Sequence, residues 1–539
     1  MKKIIAFSAV LAMLFASVAG CSSAPASPGQ ETSAAQTQAP VEPVSQEMKD
    51  VDLSVSLWSL TEFDAGKDAF AAFVKDKFKL NVTPVVLDDN DALKLAATSG
   101  SLPDVFFTGP LWDVNTFNSW VSQGIIRDVP DDMIAKYPNV QKMETENPTA
   151  MAAKGFYGKN WFIVVPNFIP FDQVKSSWSA IYYRKDWLAN VGIAGTPRTY
   201  DDLYNMLKAF VTQDPDKNGK NDTYGLTMNG GMWFLTERFT NWGVNTEDWT
   251  KEDGKWIPGY LSEKCIEPLK YMQKLYQEGL IDTEFTTNNA NQAMQKFAGN
   301  TFGAIARNAD MYWMWKVVVN QFGTAHPDIA DPFTVVGVMP PMARDANSTP
   351  AIPAAFDHDG IEFRAGLEDG KLDRYLMFHD WLLTDEANYY RLGFEGKEYQ
   401  IDAAGKVVTY NDPATGQPYE IGKLYPATGL LNLSTWGLSN DLNPAWPNAD
   451  YKDNLRAANQ EFRDGINQYP FPVNINIMFI STPAKDGLAF DYGAEMANMA
   501  MSATPIADAW AGYVQKAMDA GAQQAIDEVN AKAAEMGIK

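Results

Sequence analysis

Between residues 51 and 108, short apolar runs alternate with amphipathic stretches, and this alternation limits the fold more than any other feature of the chain. Leu53 to Leu57 reads as a strand, and Ala65 to Phe78 as a helix with Phe70, Phe73, Val74 and Phe78 on one stripe. Val82 to Leu87 is the next strand, Asp91 to Ala97 a helix, and Asp104 to Thr108 a third strand. Strands spaced by helices in this way predict a parallel sheet with helices on its faces. No glycine-rich phosphate loop follows the first strand; Trp58-Ser-Leu-Thr-Glu62 does. In open α/β sheets ligands sit outside the carboxyl ends of strands, where Trp58, Glu62 and Thr108 to Trp112 fall. With 539 residues, 46% of them hydrophobic, more than one such domain is expected.

The start of the chain reads as an address. Met1, Lys2 and Lys3 precede the apolar run Ile4 to Val18, which is the length of a secretory signal and too short to span a bilayer stably. Val18-Ala19-Gly20-Cys21 resembles the bacterial lipobox, whose cysteine is lipidated and becomes the new N-terminus. This implies a chain anchored to the cell membrane by lipid (palmitate among its acyl groups) and working outside the cytoplasm. Ser22 to Asp50 is rich in Ser, Ala, Pro, Gln and Thr and reads as a disordered linker reaching roughly 30 Å. The formal charge of -23 makes nucleic acid and anionic lipid surfaces poor partners and attracts cations. Cys265 is then the one remaining thiol, so no intramolecular disulfide is available. The three histidines, His326, His358 and His379, make no zinc-spaced pair. No serine-nucleophile elbow, Walker loop or HExxH motif occurs.

Several stretches together resemble one family. Ser99-Gly-Ser-Leu-Pro-Asp-Val105 is similar to the "small, Gly, x, x, Pro-Asp-hydrophobic" stretch of family 1 extracellular solute-binding proteins, the ligand-capturing components of ABC importers. Ile181-Tyr-Tyr-Arg-Lys-Asp-Trp-Leu188, with Pro197 and Thr199 to Leu203, resembles that family's strand-to-helix turn and next helix start. Lys274-Leu-Tyr-Gln-Glu-Gly-Leu-Ile-Asp282 is similar to its "Leu-Tyr-x-x-Gly-Leu-Ile" helix. Arg391-Leu-Gly-Phe-Glu-Gly-Lys-Glu-Tyr399 resembles a stretch of the large oligosaccharide-binding lipoprotein subgroup, which includes alginate-oligosaccharide- and maltose-binding members.

The resemblance implies an α/β, two-lobed periplasmic-binding-protein-like fold, each lobe a mainly parallel sheet flanked by helices, joined by a hinge that closes on the ligand. A Pro166 to Gln173 crossing and a Pro-rich return between Pro340 and Pro353 divide the chain accordingly. Residues 1–20 are the signal peptide and 21–50 the lipidated cysteine and linker. Residues 51–168 with about 355–430 form lobe 1, and 169–354 with about 431–539 form lobe 2. Trp510, Tyr513, Val514 and Ala517 mark the inward stripe of a closing helix.

Asp214-Pro-Asp-Lys-Asn-Gly-Lys-Asn-Asp-Thr-Tyr-Gly225 has the spacing of a calcium loop. Asp214, Asp216, Asn218 and Asp222 stand at positions 1, 3, 5 and 9, the Lys220 carbonyl at 7 and Gly219 at the sharp turn. Position 12, a bidentate Glu in an EF-hand, is Gly225. Alginate-oligosaccharide-binding relatives supply a Glu directly after position 9, where this chain has Thr223. A structural Ca2+ is expected; the alternative is an Asx-rich turn capped by its own side chains.

Sixteen Trp and twenty-two Tyr exceed the needs of a core this size. Sugars present apolar C–H faces ringed by hydroxyls, so a site needs flat aromatic platforms and planar polar groups. Candidate platforms are Trp58, Trp112, Tyr183, Trp233, Trp313 and Trp436; candidate polar partners are Glu62, Asn167, Arg307, Asn308, Asp357 and Asp359. Resemblance to the maltose-binding members implies a stacking role for Tyr183 and a further aromatic near Asn308 to Trp313. Arg307 also reads as a bidentate fork for a uronate carboxylate. The expected function is a monomeric, non-enzymatic component that delivers an oligosaccharide to ABC transporter permease subunits. A secreted glycoside hydrolase using two carboxylates, and a structural or adhesive lipoprotein, are the alternatives.

Overall fold

The computed structural model divides into two compact units, Met1–Met48 and Lys49–Lys539, and every element below belongs to the second. It describes residues 48–538 apart from 88–89, 112, 167, 170–178, 231–236, 310, 354–356, 404–406, 417–418, 436, 439–452, 456, 459, 461, 463 and 465–467. The proposed lipidation at Cys21 and most of the expected first crossing lie outside the described residues.

Nine strands build two main sheets: β1 (Val51–Ser56), β2 (Leu80–Pro84), β3 (Val105–Thr108), β4 (Ile163–Val165), β5 (Ser179–Arg184), β6 (Tyr224–Thr227), β7 (Phe302–Asn308), β8 (Val336–Val338) and β9 (Asp359–Phe363). The first sheet runs β2-β1-β3-β9-β4 and the second β8-β5-β7-β6. β1, β2 and β3 pair in parallel, as the alternation predicts. Each sheet also carries one reversed strand: β9 is antiparallel to β3 and β4, and β5 to β7 and β8. The reason is topological. A βα unit ends its strand at the carboxyl edge, so a chain arriving from the other sheet at that edge must run away from it.

The flanking helices follow from their caps and stripes. They are α1 (Ala69–Phe78), α2 (Asn90–Ser99), α3 (Pro138–Glu146), α4 (Pro148–Tyr157), α5 (Tyr200–Thr212), α6 (Ile266–Gln277), α7 (Ala290–Ala298), α8 (Asp369–Leu382), α9 (Ile475–Met478), α10 (Tyr492–Met501), α11 (Ile506–Asp519) and α12 (Ala522–Glu535). Asp68 starts α1 four residues later than expected. Its Oδ1 accepts from the Phe70 and Ala71 amides at 2.8 and 3.0 Å, and its Oδ2 accepts from the Ala427 amide at 2.8 Å. One carboxylate thus caps a helix and fixes a segment more than 350 residues away. Thr199 and Asp202 form a reciprocal capping box on α5. Among the described residues no helix is long and apolar enough to cross a membrane.

Each sheet has an apolar layer on both faces, because successive strand residues alternate sides. In the first sheet, Val105 and Ile361 join Phe70 of α1 and Leu376 of α8, while Phe106 and Val164 face Phe117 and Trp120. In the second, Ile181 and Ala304 pack with Phe210 of α5 and Leu275 of α6, while Tyr182 and Ile305 pack with Phe297 of α7. Gly303 is required in this layer: a Cβ there would stand 2.2 Å from the Phe210 ring. Cys265 is fully buried, and burial pushes its thiol pKa well up, so it is an inert core group. Trp510, Tyr513 and Ala517 of α11 are buried in the core of the second sheet, with Val514 half-buried beside them, as the closing stripe predicts.

One short segment belongs to both cores. Ile477 and Ile480 pack into the core of the second sheet, whereas Phe479 inserts among the outer layer of the first, with its ring centroid 5.5 Å from those of Phe156 and Tyr157 on α4. Both ends are held. Asp248 accepts from the Asn474 amide at 2.8 Å, and the half-buried Lys485 donates through its ammonium to the carbonyls of Ile480 at 2.5 Å and Met478 at 3.0 Å. Burial lowers the Lys485 pKa to about 8 and raises that of Asp248.

Candidate functional site

The carboxyl edges of the two sheets gather the polar groups. On the first, Trp58 follows β1 two residues beyond its last residue and is 57% exposed, the most open Trp among the described residues. Glu62 is exposed on the same loop. Thr108, the last residue of β3, donates through Oγ1 to Glu362 Oε1 at 2.5 Å. Asp357 accepts from Asn147 Nδ2 at 2.6 Å, and its own amide donates to Thr149 Oγ1 at 3.2 Å, which ties the returning chain to the start of α4. Asp359 is buried with its Oδ1 2.9 Å from His358 Nδ1. Both aspartates read as sugar acceptors already hold internal partners.

On the second sheet, β6, β7 and β8 end at one edge and β5 begins there, with Ser179 opposite Asn308 and Ala180 opposite Arg307. Arg307 is largely buried. Its guanidinium carbon lies 3.7 Å from the centroid of the half-buried Trp313 ring, and its Nη1 donates to Asn229 Oδ1 at 3.2 Å. The sequence-derived trio Arg307, Asn308 and Trp313 is therefore assembled at one place. The Asn308 carbonyl accepts from Tyr182 Oη at 2.6 Å. Tyr183 differs from expectation: only 3% exposed, it points into the core, and its ring stands where a Cβ on Gly337 would come within 2.6 Å. Strand alternation explains this, since β5 residues 179, 181 and 183 all face the α5 and α6 layer. A stacking face is not presented in this conformation. Trp112, Asn167, Trp233 and Trp436 lie outside the described residues.

Arg238 at this edge, and the buried acids Glu362 and Glu144 at the first sheet, are not announced by any motif. Arg238 donates through Nη2 to the Ser179 carbonyl at 3.0 Å and to Ser179 Oγ at 3.3 Å. It sits between Glu237 and Phe239, with neither spacing nor repeat to mark it. Glu362, in mid-strand, is fully buried beneath Thr108, and burial raises its pKa to about 8; Glu144, which accepts from the Val164 amide at 3.0 Å, is raised to about 8 by the same cause. Burial favours the protonated form of both carboxyls, which are enclosed and face no ligand.

The 214–225 loop is folded around Asn218. Its amide N–H lies 3.1 Å from Asp214 Oδ1, and its Nδ2 donates to Asp216 Oδ2 at 2.8 Å and Asp222 Oδ1 at 3.0 Å. The Asp216 carboxyl is raised, first by burial and then by Asp214 and Asp222 beside it. Asp214, Asp216 and Asp222 each lie within hydrogen-bond distance of Asn218, and carboxylate oxygens are the hard donors a divalent cation takes. Among the described residues no three Asp, Glu, His or Cys side chains stand together in a metal-binding group. Thr223 is turned away, buried, with Oγ1 donating to the Phe210 carbonyl at 2.8 Å. Position 12 has no room for a ligand: a Cβ on Gly225 would lie 2.3 Å from the Leu280 carbonyl oxygen, because β6 begins there.

The model of the bacterial extracellular solute-binding protein family matches residues 58–352, more than half of the chain. The chain belongs to that family. A polygalacturonan/rhamnogalacturonan-binding protein, YtcQ, of Bacillus subtilis (strain 168) is 28% identical over 219 residues, 40% of this chain and 41% of that one. A fructooligosaccharide ABC transporter substrate-binding protein, FusA, of Streptococcus pneumoniae serotype 4 is 28% identical over 232 residues, 41% of each chain. The matches thus span about two fifths of the length of these relatives. The crystal structure of the alginate-binding protein AlgQ2 without calcium ion superposes with a TM-score of 0.63 at 18% identity, covering 89% of this chain and 97% of that one. The two-sheet α/β fold is therefore shared with AlgQ2, and the two relatives carry the names of binding proteins.

Proposed function

We propose that this protein captures an oligosaccharide between its two sheet-centred lobes and delivers it, with no bond broken, to the permease of an ABC importer. The observation that carries this is the pair of carboxyl edges, one bearing the exposed Trp58 and the other the Arg307–Asn308–Trp313 group. A solvent-exposed indole on one side and planar polar groups on the other suit a sugar's C–H face and hydroxyls. The pectic- and fructan-binding names of the two relatives support a saccharide over other solutes. A hydrolase needs two available carboxylates, and Asp357 and Asp359 are both engaged internally. Lobe 1 is read as residues 51–168 with about 355–430 and lobe 2 as residues 169–354 with about 431–539. Cys21 carries the lipid that tethers the monomer outside the cell membrane.

The loop at Asp214, Asp216, Asn218, Lys220 and Asp222 is read as a structural calcium site, stabilising the end of α5 rather than touching the ligand. A bound ion would neutralise three carboxylates and hold the loop closed.

A thermal-shift screen of the purified protein tests both readings. One class of oligosaccharide is expected to raise the melting temperature, since a hundredfold excess over Kd adds about 2.7 kcal/mol to the folded state. The sugar is expected to be recovered with no new reducing ends. Calcium alone is expected to raise the melting temperature of a chelator-washed sample, and Asp214→Ala to abolish that rise. Silence across all sugars with intact folding argues against the capture reading; no calcium effect removes the metal site.

A further inference from the structure

We infer that the pocket beside Arg238 is a subsite for a sugar acid, so that the captured oligosaccharide carries uronate residues. This rests on the oligosaccharide reading and specifies its substrate class. Arg238, Thr240 and Asn241 form one wall of the pocket, and Met342, Ile352 and Phe462 stand among its apolar lining. Its place in the fold is the carboxyl edge of the second sheet, because Arg238 is bonded to Ser179 at the start of β5 and Met342 follows the end of β8.

The polar groups of the pocket are unequal. Thr240 Oγ1 donates to the Ala351 carbonyl at 2.5 Å, while Asn241 Oδ1 accepts from the Ala351 amide at 3.0 Å and its Nδ2 donates to the Arg238 carbonyl at 3.2 Å. These two side chains shape the wall. Arg238 is different: one nitrogen is used by Ser179, and Nε is buried with no acceptor among the described residues. A guanidinium with no carboxylate partner among the described residues, beside an apolar wall, is matched by a ligand that brings both an anion and a C–H face. A sugar acid has that combination on one ring, whereas a neutral sugar offers only hydroxyl oxygens. Arg307 adds a second guanidinium at the same edge, opposite the neighbour of Ser179. The chain as a whole carries a formal charge of -23, so any preference for an anion comes from these short contacts and not from long-range attraction.

Titration calorimetry decides the matter with two probes: trigalacturonate and its carboxyl-reduced, neutral counterpart of the same linkage. The wild-type protein is expected to prefer the acid by about 10- to 100-fold, as a charge-assisted fork implies. Arg238→Gln should collapse that preference toward unity, and Arg238→Lys, which keeps the charge without the fork, should retain part of it. Equal binding of acid and neutral sugar by the wild type overturns the inference while leaving the oligosaccharide reading in place. So does an equal loss of both in Arg238→Gln, which would make Arg238 a support for Ser179 only. Exclusive binding of neutral oligosaccharides in the wider screen has the same meaning. Binding of no saccharide at all removes the oligosaccharide reading and this inference with it.

Discussion

Raising the pH from 6.5 to 8 is expected to cost this protein roughly 2 kcal/mol of folding stability for each of two buried carboxyls, Glu144 and Glu362. Each has a folded-state pKa of about 8 against an ordinary value of 4.5, because burial disfavours its charged form. The folded state therefore binds more protons than the unfolded state between those values. The stabilising contribution is complete below about pH 4.5, declines as the pH rises, and is gone above about pH 8. His379 acts in the other direction: burial depresses its pKa to about 3, so it weakens the fold only below about pH 6.5. Lys485, lowered to about 8, begins to lose its proton in the folded state near the top of the pH 6.5 to 8 window and acts against the fall, so the contribution of the two acids is read from their Gln variants against wild type. Urea unfolding across that window should show the fall in wild type and a flatter profile in Glu144→Gln and Glu362→Gln, whose amides keep the bonds from the Val164 amide and Thr108. An unchanged slope in both variants would mean that these carboxyls ionise freely.

Phe479→Ala is expected to cost about 3 to 5 kcal/mol, the usual range for truncating a fully buried aromatic. Its consequence reaches beyond that core. The segment from Asn474 to Ile480 is fixed to the second half of the molecule by Asp248 and Lys485 and reaches the first half through Phe479 alone among its fully buried side chains. Removing that ring loosens the segment's hold on α4, leaving only the partly buried Ile475 and Met478 against that core, while both sheets keep their strands. Chemical unfolding should register the loss, and small-angle scattering of the unliganded variant should show a larger radius of gyration. A stability loss with an unchanged radius would mean that Phe479 fills a cavity and does not set the spacing of the two halves.

These residues also show how far the chain could be read before its structure. The alternation from Leu53 to Thr108 predicts the first strands and helices because each apolar period is local, and α1 is misjudged only where Asp68 caps it. The reversal of β5 and β9 has no local signal, since strand direction depends on which edge the chain arrives at. Arg307, Asn308 and Trp313 are legible as a group because they follow one strand end in sequence. Arg238 is not, because its contact with Ser179 spans 59 residues of chain, beyond the reach of any local pattern. Tyr183 misleads for a related reason: resemblance supplies a residue type, while strand parity decides whether it faces the core. Gly225 explains the departure of the calcium loop from its usual pattern, a close approach to Leu280 that no spacing rule contains.

Capture between two closing halves is tested most directly by small-angle scattering of the protein with and without the oligosaccharide that gives the largest thermal shift. Closure around that sugar predicts a smaller radius of gyration at saturation, reversed when the sugar is dialysed away. An unchanged radius at saturating ligand would contradict capture by closure and leave a static sugar-binding surface in its place.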